Sequence, residues 1–156
     1  MPHHHYKTSL TWTGNTGAGT KSYTAYSRNH ITTVNGKPEI PGSSDPSFRG
    51  DNTRYNPEEM LVASLSSCHM LWFLHVCSTV GIVVTAYEDH AIGTMIEEAD
   101  GSGRFTEVVL HPVVTITDAS RIPELDQLHH EAHQKCFIAN SVNFPVKCEG
   151  EVLLDK

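Results

Sequence analysis

Four cysteines carry most of the reactive chemistry open to this 156-residue chain: Cys68, Cys77, Cys136 and Cys148. None belongs to a tight pair such as C-x-x-C, which argues against a disulfide scaffold and leaves each thiol as either a buried filler or a reactive group. Cys68 and Cys77 lie nine residues apart in one helical stretch. That spacing points them to nearly opposite faces, about 13 Å apart along the axis, so they cannot pair while the helix is intact. Cys136 comes from a second apolar helix face, and a bond between Cys68 and Cys136 is topologically open. Cys148, in a strand, reads as a small hydrophobe. Taken singly, each thiol is most simply inert core. Metal binding offers different chemistry: His129 and His133 stand at i, i+4 with Cys136 three residues further, a spacing suited to zinc or copper. No further tight cluster completes that shell, and a solvated polar face is the simpler reading of His129 and His130.

The element that must position Cys68 is the stretch from Asn56 to Cys77, which the sequence predicts as a helix. Asn56 is a good cap, Pro57 suits the first turn, Glu58 and Glu59 favour the positive end of the helix dipole, and Gly81 stops it. Leu61, Leu65, Cys68 and Trp72 recur at helical spacing and predict that the thiol sits on the buried stripe. A second helix is expected from near Pro123 to about Ala139, with Leu125, Leu128, Ala132, Cys136 and Ala139 inward. Strands are expected at Tyr6–Thr13 with Trp12 inward, through Tyr23, Ala25 and Arg28, and at Ile31–Val34 before a turn at Asn35-Gly36. Gly14, Gly17 and Gly19 read as a loose hairpin, because the G-x-G-x-x-G order of a dinucleotide loop is missing. Residues 38–55 read as a loop delivering Arg49 and Arg54 next to the helix, where Asp45 and Asp51 could pair with them. Two long strands, Ile82–Ile96 and Arg104–Thr117, should pair antiparallel through the turn Asp100-Gly101-Ser102-Gly103, and a last strand should run from Val146 to Leu154. The order indicates an α+β fold, with helices packed on a mainly antiparallel sheet.

Composition narrows the partners. A length of 156 residues with 38% hydrophobic content suits a single domain spanning 1–156 that builds its own core. Residues 1–5, including His3, His4 and His5, are expected to be unstructured. Eighteen acidic against eleven basic residues give a formal charge of -7, which disfavours nucleic acid and anionic membrane. Small-molecule or protein partners are expected instead. No apolar run is read as long enough to span a bilayer and no signal layout is seen, so a cytoplasmic protein is expected.

Two motifs add a resemblance. Asn56-Pro57-Glu58-Glu59-Met60-Leu61 followed by Ser66-Ser67-Cys68-His69-Met70 resembles the helix signature of the OsmC and Ohr family of osmotically inducible and organic hydroperoxide resistance proteins. Ala132-His133-Gln134-Lys135-Cys136 is similar to the family's second cysteine motif, at a similar separation, and the likeness runs from Trp12 to Leu153. The resemblance implies two core helices, antiparallel sheets and an intertwined homodimer with active sites at the subunit interface. It implies a peroxidase that reduces organic hydroperoxides to alcohols, with Cys68 peroxidatic, Cys136 resolving through a Cys68–Cys136 disulfide, and Glu58 steering an arginine. Arg49 is the first choice for that arginine, with Arg28 and Arg54 as alternatives. No bound cofactor is implied; the reductant is an external dithiol, by resemblance lipoyl-type. The sequence departs from the family pattern at Phe137, where a proline often follows, so a straighter helix is expected there. A non-catalytic redox sensor or thiol-binding protein on the same fold is the alternative.

The chemistry suits these residue types. An ordinary thiol, with a pKa of about 8.5, is mostly protonated at neutral pH, and only thiolate attacks an O–O bond effectively. A guanidinium stabilises the thiolate, and a carboxylate can hold the guanidinium bidentately. Glu58 and Cys68 are ten residues apart, about 15 Å along one straight helix, too far to share an arginine within one chain unless the helix is broken or the arginine very extended. A dimer that brings one chain's helix start to the other's thiol removes the conflict.

Overall fold

The computed structural model describes all 156 residues. The chain forms two compact units, Met1–Met60 and Leu61–Lys156.

In the first unit, β1 (Ser9–Trp12), β2 (His30–Thr33) and β3 (Ile40–Gly42) make an antiparallel sheet in that order. The segment between β1 and β2 closes by the Ser27 N–H donating to the Gly14 carbonyl at 2.9 Å. A Cβ on Gly14 would lie 1.8 Å from the Ser27 oxygen, so glycine is required there. Tyr23, Ala25 and Arg28, expected in a strand, lie instead in turns and irregular backbone. The Arg28 guanidinium donates to the Tyr23 and Tyr26 carbonyls, each at 2.7 Å, so side-chain bonds curl the segment where a ladder would keep it straight. Trp12 likewise departs from expectation: it is 44% exposed and donates its indole N–H to the Ser27 carbonyl. The Asn35-Gly36 turn forms, with Gly36 at φ 78°. The loop of residues 38–55 holds β3 and a short 3-10 turn, Pro46–Phe48, whose cap Asp45 accepts from the Ser47 N–H at 2.7 Å.

Helix α1 runs from Pro57 to Thr79. Asn56 Oδ1 accepts from the Glu59 N–H at 2.8 Å and Glu59 Oε1 accepts from the Asn56 N–H at 3.1 Å, a reciprocal capping box. At the other end Gly81 adopts φ 76°, and the Ile82 N–H reaches back to the Cys77 carbonyl. The buried residues of α1 are Leu65, His69, Phe73, Val76 and Cys77. The stripe expected through Cys68 and Trp72 is therefore rotated by about one position, since one residue turns a helix by about 100°. Cys68 is only half-buried. By length and composition α1 also reaches what a bilayer crossing needs, with mean hydropathy 1.5, which corrects the expectation that no segment does. Of its buried residues, Leu65, Phe73, Val76 and Cys77 pack into the hydrophobic cores.

The second unit is built on one long hairpin broken in the middle. β4 (Val84–Asp89) and β5 (Ile92–Glu97) replace the first expected strand, and β6 (Gly103–Leu110) and β7 (Pro112–Ile116) the second. The pairing is antiparallel as expected, β5 with β6 and β4 with β7, but the halves belong to different sheets. The break has a physical cause. Asp89 accepts the His111 N–H at 2.7 Å and the Ser66 hydroxyl at 2.5 Å, and Pro112 has no N–H to give to a ladder. The last expected strand divides at the same level into β8 (Val146–Cys148) and β9 (Glu151–Leu154), parallel to β6 and β7 respectively.

Between β7 and β8 the chain makes a 3-10 segment, Ala119–Glu124, capped by Asp118, and then α2, Leu125–Lys135. α2 ends before Cys136, not at Ala139: Cys136 is extended, at φ -66° and ψ 112°. Phe137 therefore lies outside the helix it was expected to straighten. One core gathers Phe73, Val76, Cys77, Ile82, Val114, Ile116, Leu125, Leu128 and Ala132. A second gathers Leu65, Val108 and Leu110, with Phe105, Val142 and Phe144 against them. The protein is α+β, with two helices and antiparallel-rich sheets.

Candidate functional site

Two thiols meet where α1 passes the end of α2. Cys68 is half-buried on α1, and its thiol is near enough to the fully buried Cys136 to act on it. Both cysteines are free thiols. Cys136 is held by the turn that follows α2: its N–H donates to the His133 carbonyl, its carbonyl accepts from the Asn140 N–H at 3.0 Å, and its Sγ takes the Ala139 N–H at 3.4 Å. Trp72, one turn after Cys68, meets Phe137 edge to face at 5.6 Å and so docks that turn on α1. Burial, reinforced by Cys68, pushes the Cys136 thiol up to about 11, and the Ala139 N–H opposes this.

The remaining residues that the sequence singles out lie in the first unit. Glu58 is half-buried in the first turn of α1, where acidic residues match the helix dipole. Arg28 is committed to the Tyr23 and Tyr26 carbonyls and sits 3.9 Å over the Tyr26 ring. Arg54 lies 3.7 Å from the Asp51 carboxylate and donates to the His30 carbonyl at 3.3 Å. Arg49 is exposed, adopts φ 64° after the 3-10 turn, and has no ion pair; Asp45 caps that turn instead. Together with Gly50, Asp51, Tyr26 and Asn29 it lines a pocket of about 380 Å³.

A second cluster was not legible as such in the sequence. His69, the residue after Cys68, faces the interior and places Nε2 3.0 Å from Nδ1 of His129 on α2. The Cys148 Sγ on β8 lies 3.8 Å from the same His69 nitrogen. Phe73 stacks against His129 at 4.0 Å and against His69 at 6.5 Å. Burial pulls both imidazoles down to about 4, so they are neutral at physiological pH, and pushes the Cys148 thiol up to about 12. This corrects two expectations: His129 is buried rather than solvated, and its partners are His69 and Cys148 rather than His133 and Cys136. The available signal was His69 at i, i+4 from both Leu65 and Phe73, which its polarity disguised.

With this geometry in hand, the sequence profile described as OsmC-like protein matches residues 50–151. An OsmC-like protein of unknown function from Vibrio cholerae is 34% identical, at a TM-score of 0.85 over 95% of this chain and 99% of its own. The chain belongs to the OsmC-like family. More distant OsmC-like folds include an organic hydroperoxide resistance protein from Elizabethkingia anophelis, 23% identical at a TM-score of 0.68, over 97% of this chain and 99% of its own. Another, from Legionella pneumophila, is 20% identical at 0.66, over 94% of this chain and 96% of its own. No curated protein matches. Both thiols of the Cys68–Cys136 pair lie inside the matched OsmC-like residues.

Proposed function

We propose that the protein is a thiol-dependent peroxidase that reduces organic hydroperoxides to alcohols. The observation that carries the reading is the juxtaposition of a half-buried Cys68 and a fully buried Cys136. Similarity to proteins named for organic hydroperoxide resistance supports it. The Cys68 thiolate attacks the outer peroxide oxygen, the O–O bond breaks, and the alkoxide leaves and takes a proton as the alcohol. Cys68 is then a sulfenic acid. The Cys136 sulfur attacks it, water leaves, and a Cys68–Cys136 disulfide forms. An external dithiol of the lipoyl type reduces the disulfide and restores both thiols, and no bound cofactor is needed.

In this reading Glu58 orients the arginine that stabilises the thiolate. Arg49 remains the first choice because it alone of the three has no competing ion pair or carbonyl partner, whereas Arg28 and Arg54 are engaged. The ten residues of unbroken α1 between Glu58 and Cys68 favour a site completed across a homodimer. Exposed apolar residues on β5, Ile92, Met95 and Ile96, and Leu71 on α1 support a partner surface. We place the enzyme, as a single functional domain, in the reducing cytoplasm.

Turnover of cumene or tert-butyl hydroperoxide with a dithiol tests the reading: the native protein turns over and Cys68→Ser does not. The raised Cys136 thiol favours a second reading, a redox sensor or thiol-binding protein that oxidises but resolves slowly. A single oxidation event without steady turnover would select it. Mixed dimers of Glu58→Ala and Cys68→Ser chains test the shared site, since partial activity should return in the heterodimer.

A further inference from the structure

The trio of His69, His129 and Cys148 plays no part in the peroxide chemistry above. Three different elements, α1, α2 and β8, bring one donor each, and the three donor atoms all lie within 4.8 Å of one another. We propose that His69, His129 and Cys148 bind one zinc ion, through Nε2, Nδ1 and Sγ respectively, with the fourth position open to the adjoining pocket.

Tetrahedral zinc, with Zn–N near 2.05 Å and Zn–S near 2.3 Å, needs N···N of about 3.3 Å and N···S of about 3.6 Å. The distances present are 3.0 Å between the imidazole nitrogens and 3.8 Å between His69 Nε2 and Cys148 Sγ. These two pairs need shifts of only a few tenths of an ångström, and the third, His129 Nδ1 with Cys148 Sγ, lies within 4.8 Å. Two imidazoles and a thiolate form a donor set that suits zinc, and magnesium or calcium poorly. Three protein ligands with one open position is also the arrangement of zinc sites that bind a further molecule.

The surroundings supply what a metal site requires beyond its ligands. Phe73 stacks against both imidazoles and fixes their planes. Gly150 has no side chain, and a Cβ there would lie 3.1 Å from Nε2 of His129, so the glycine leaves room for the ring. The Tyr87 hydroxyl is buried without a hydrogen-bond partner. Access comes through a pocket of about 480 Å³, whose walls include His129, Cys148, Asp126 and Glu149. Its two carboxylates favour the approach of a cation.

The test is independent of peroxide turnover. In the full chain carrying Cys68→Ser and Cys136→Ser, prepared free of metal, Co²⁺ should bind at one equivalent with a thiolate-to-cobalt charge-transfer band, and Zn²⁺ should displace it. Adding Cys148→Ser should remove the band and weaken zinc binding by about 10- to 100-fold, whereas Cys77→Ser should leave both unchanged. Without any substitution at the site, zinc should slow alkylation of Cys148 at least about tenfold. A folded protein that shows no cobalt–thiolate band, a band that survives Cys148→Ser, or no protection of Cys148 by zinc would overturn the proposal. Any of these would leave the trio as a hydrogen-bonded packing network.

Discussion

Cys68 and His69 are neighbours on one helix, yet they open two different clusters. The Cys68 cluster joins a half-buried thiol to a fully buried one, and the donor to Cys136 Sγ from outside the pair is a backbone N–H. The His69 cluster sets two buried imidazoles, braced by a phenyl ring and neutral, beside a half-buried thiol. About 100° of helix rotation separates them. Reach to solvent and to a second sulfur suits a thiol to making and breaking bonds, whereas convergence of fixed neutral donors suits a cluster to holding something.

Substitutions should separate the two clusters. Cys68→Ser should lower peroxide turnover by roughly 1,000-fold, to near the uncatalysed rate, while Cys148→Ser should leave turnover within a few-fold of native; steady-state rates with tert-butyl hydroperoxide check both. Phe73→Ala removes a fully buried ring from the first core and from the imidazole stack. It should cost roughly 3–5 kcal/mol in denaturant unfolding, and zinc affinity should fall with it, whereas peroxide in the folded fraction should still produce the Cys68–Cys136 bond.

Iodoacetamide at pH 7 should label Cys68 ahead of Cys136, because burial shields the latter and keeps it protonated. Denaturation should abolish the difference, as peptide mass spectrometry would reveal. Burial pushes both the Cys77 and the Cys136 thiol up to about 11. Their contribution to stability is complete below pH 9 and is lost as pH rises toward 11, since the unfolded chain releases those protons first. The melting temperature of the metal-free protein should therefore fall over that range, and less so in Cys77→Ser. The smallest effect expected is that of Gly150→Ala, which crowds His129 and should cost about 1 kcal/mol while leaving the thiol pair untouched. Thermal unfolding together with the iodoacetamide pattern checks it.

Much of this arrangement was legible in local chemistry. The capping box at Asn56 and Glu59 and the stop at Gly81 bound α1 almost where expected, and the turns at Asn35-Gly36 and Asp100–Gly103 form. The fold class followed from element order. What escaped was set by tertiary contacts. Strand periodicity runs straight through His90-Ala91 and His111, because nothing local announces that the Asp89 carboxylate will break both strands. Helical spacing fits both the Leu61–Trp72 stripe and the Leu65–Val76 stripe, and buried partners on α2 and β8 make His69 an inward residue. Cys148 read as a small hydrophobe because its imidazole partner lies 79 residues away in sequence.

The most direct measurement is a map of the cysteines after one equivalent of tert-butyl hydroperoxide in the absence of reductant. A Cys68–Cys136 disulfide should form, with Cys77 and Cys148 recovered as free thiols. Oxidation falling on Cys148 or Cys77, or Cys68 oxidised with Cys136 still reduced, would contradict that pairing.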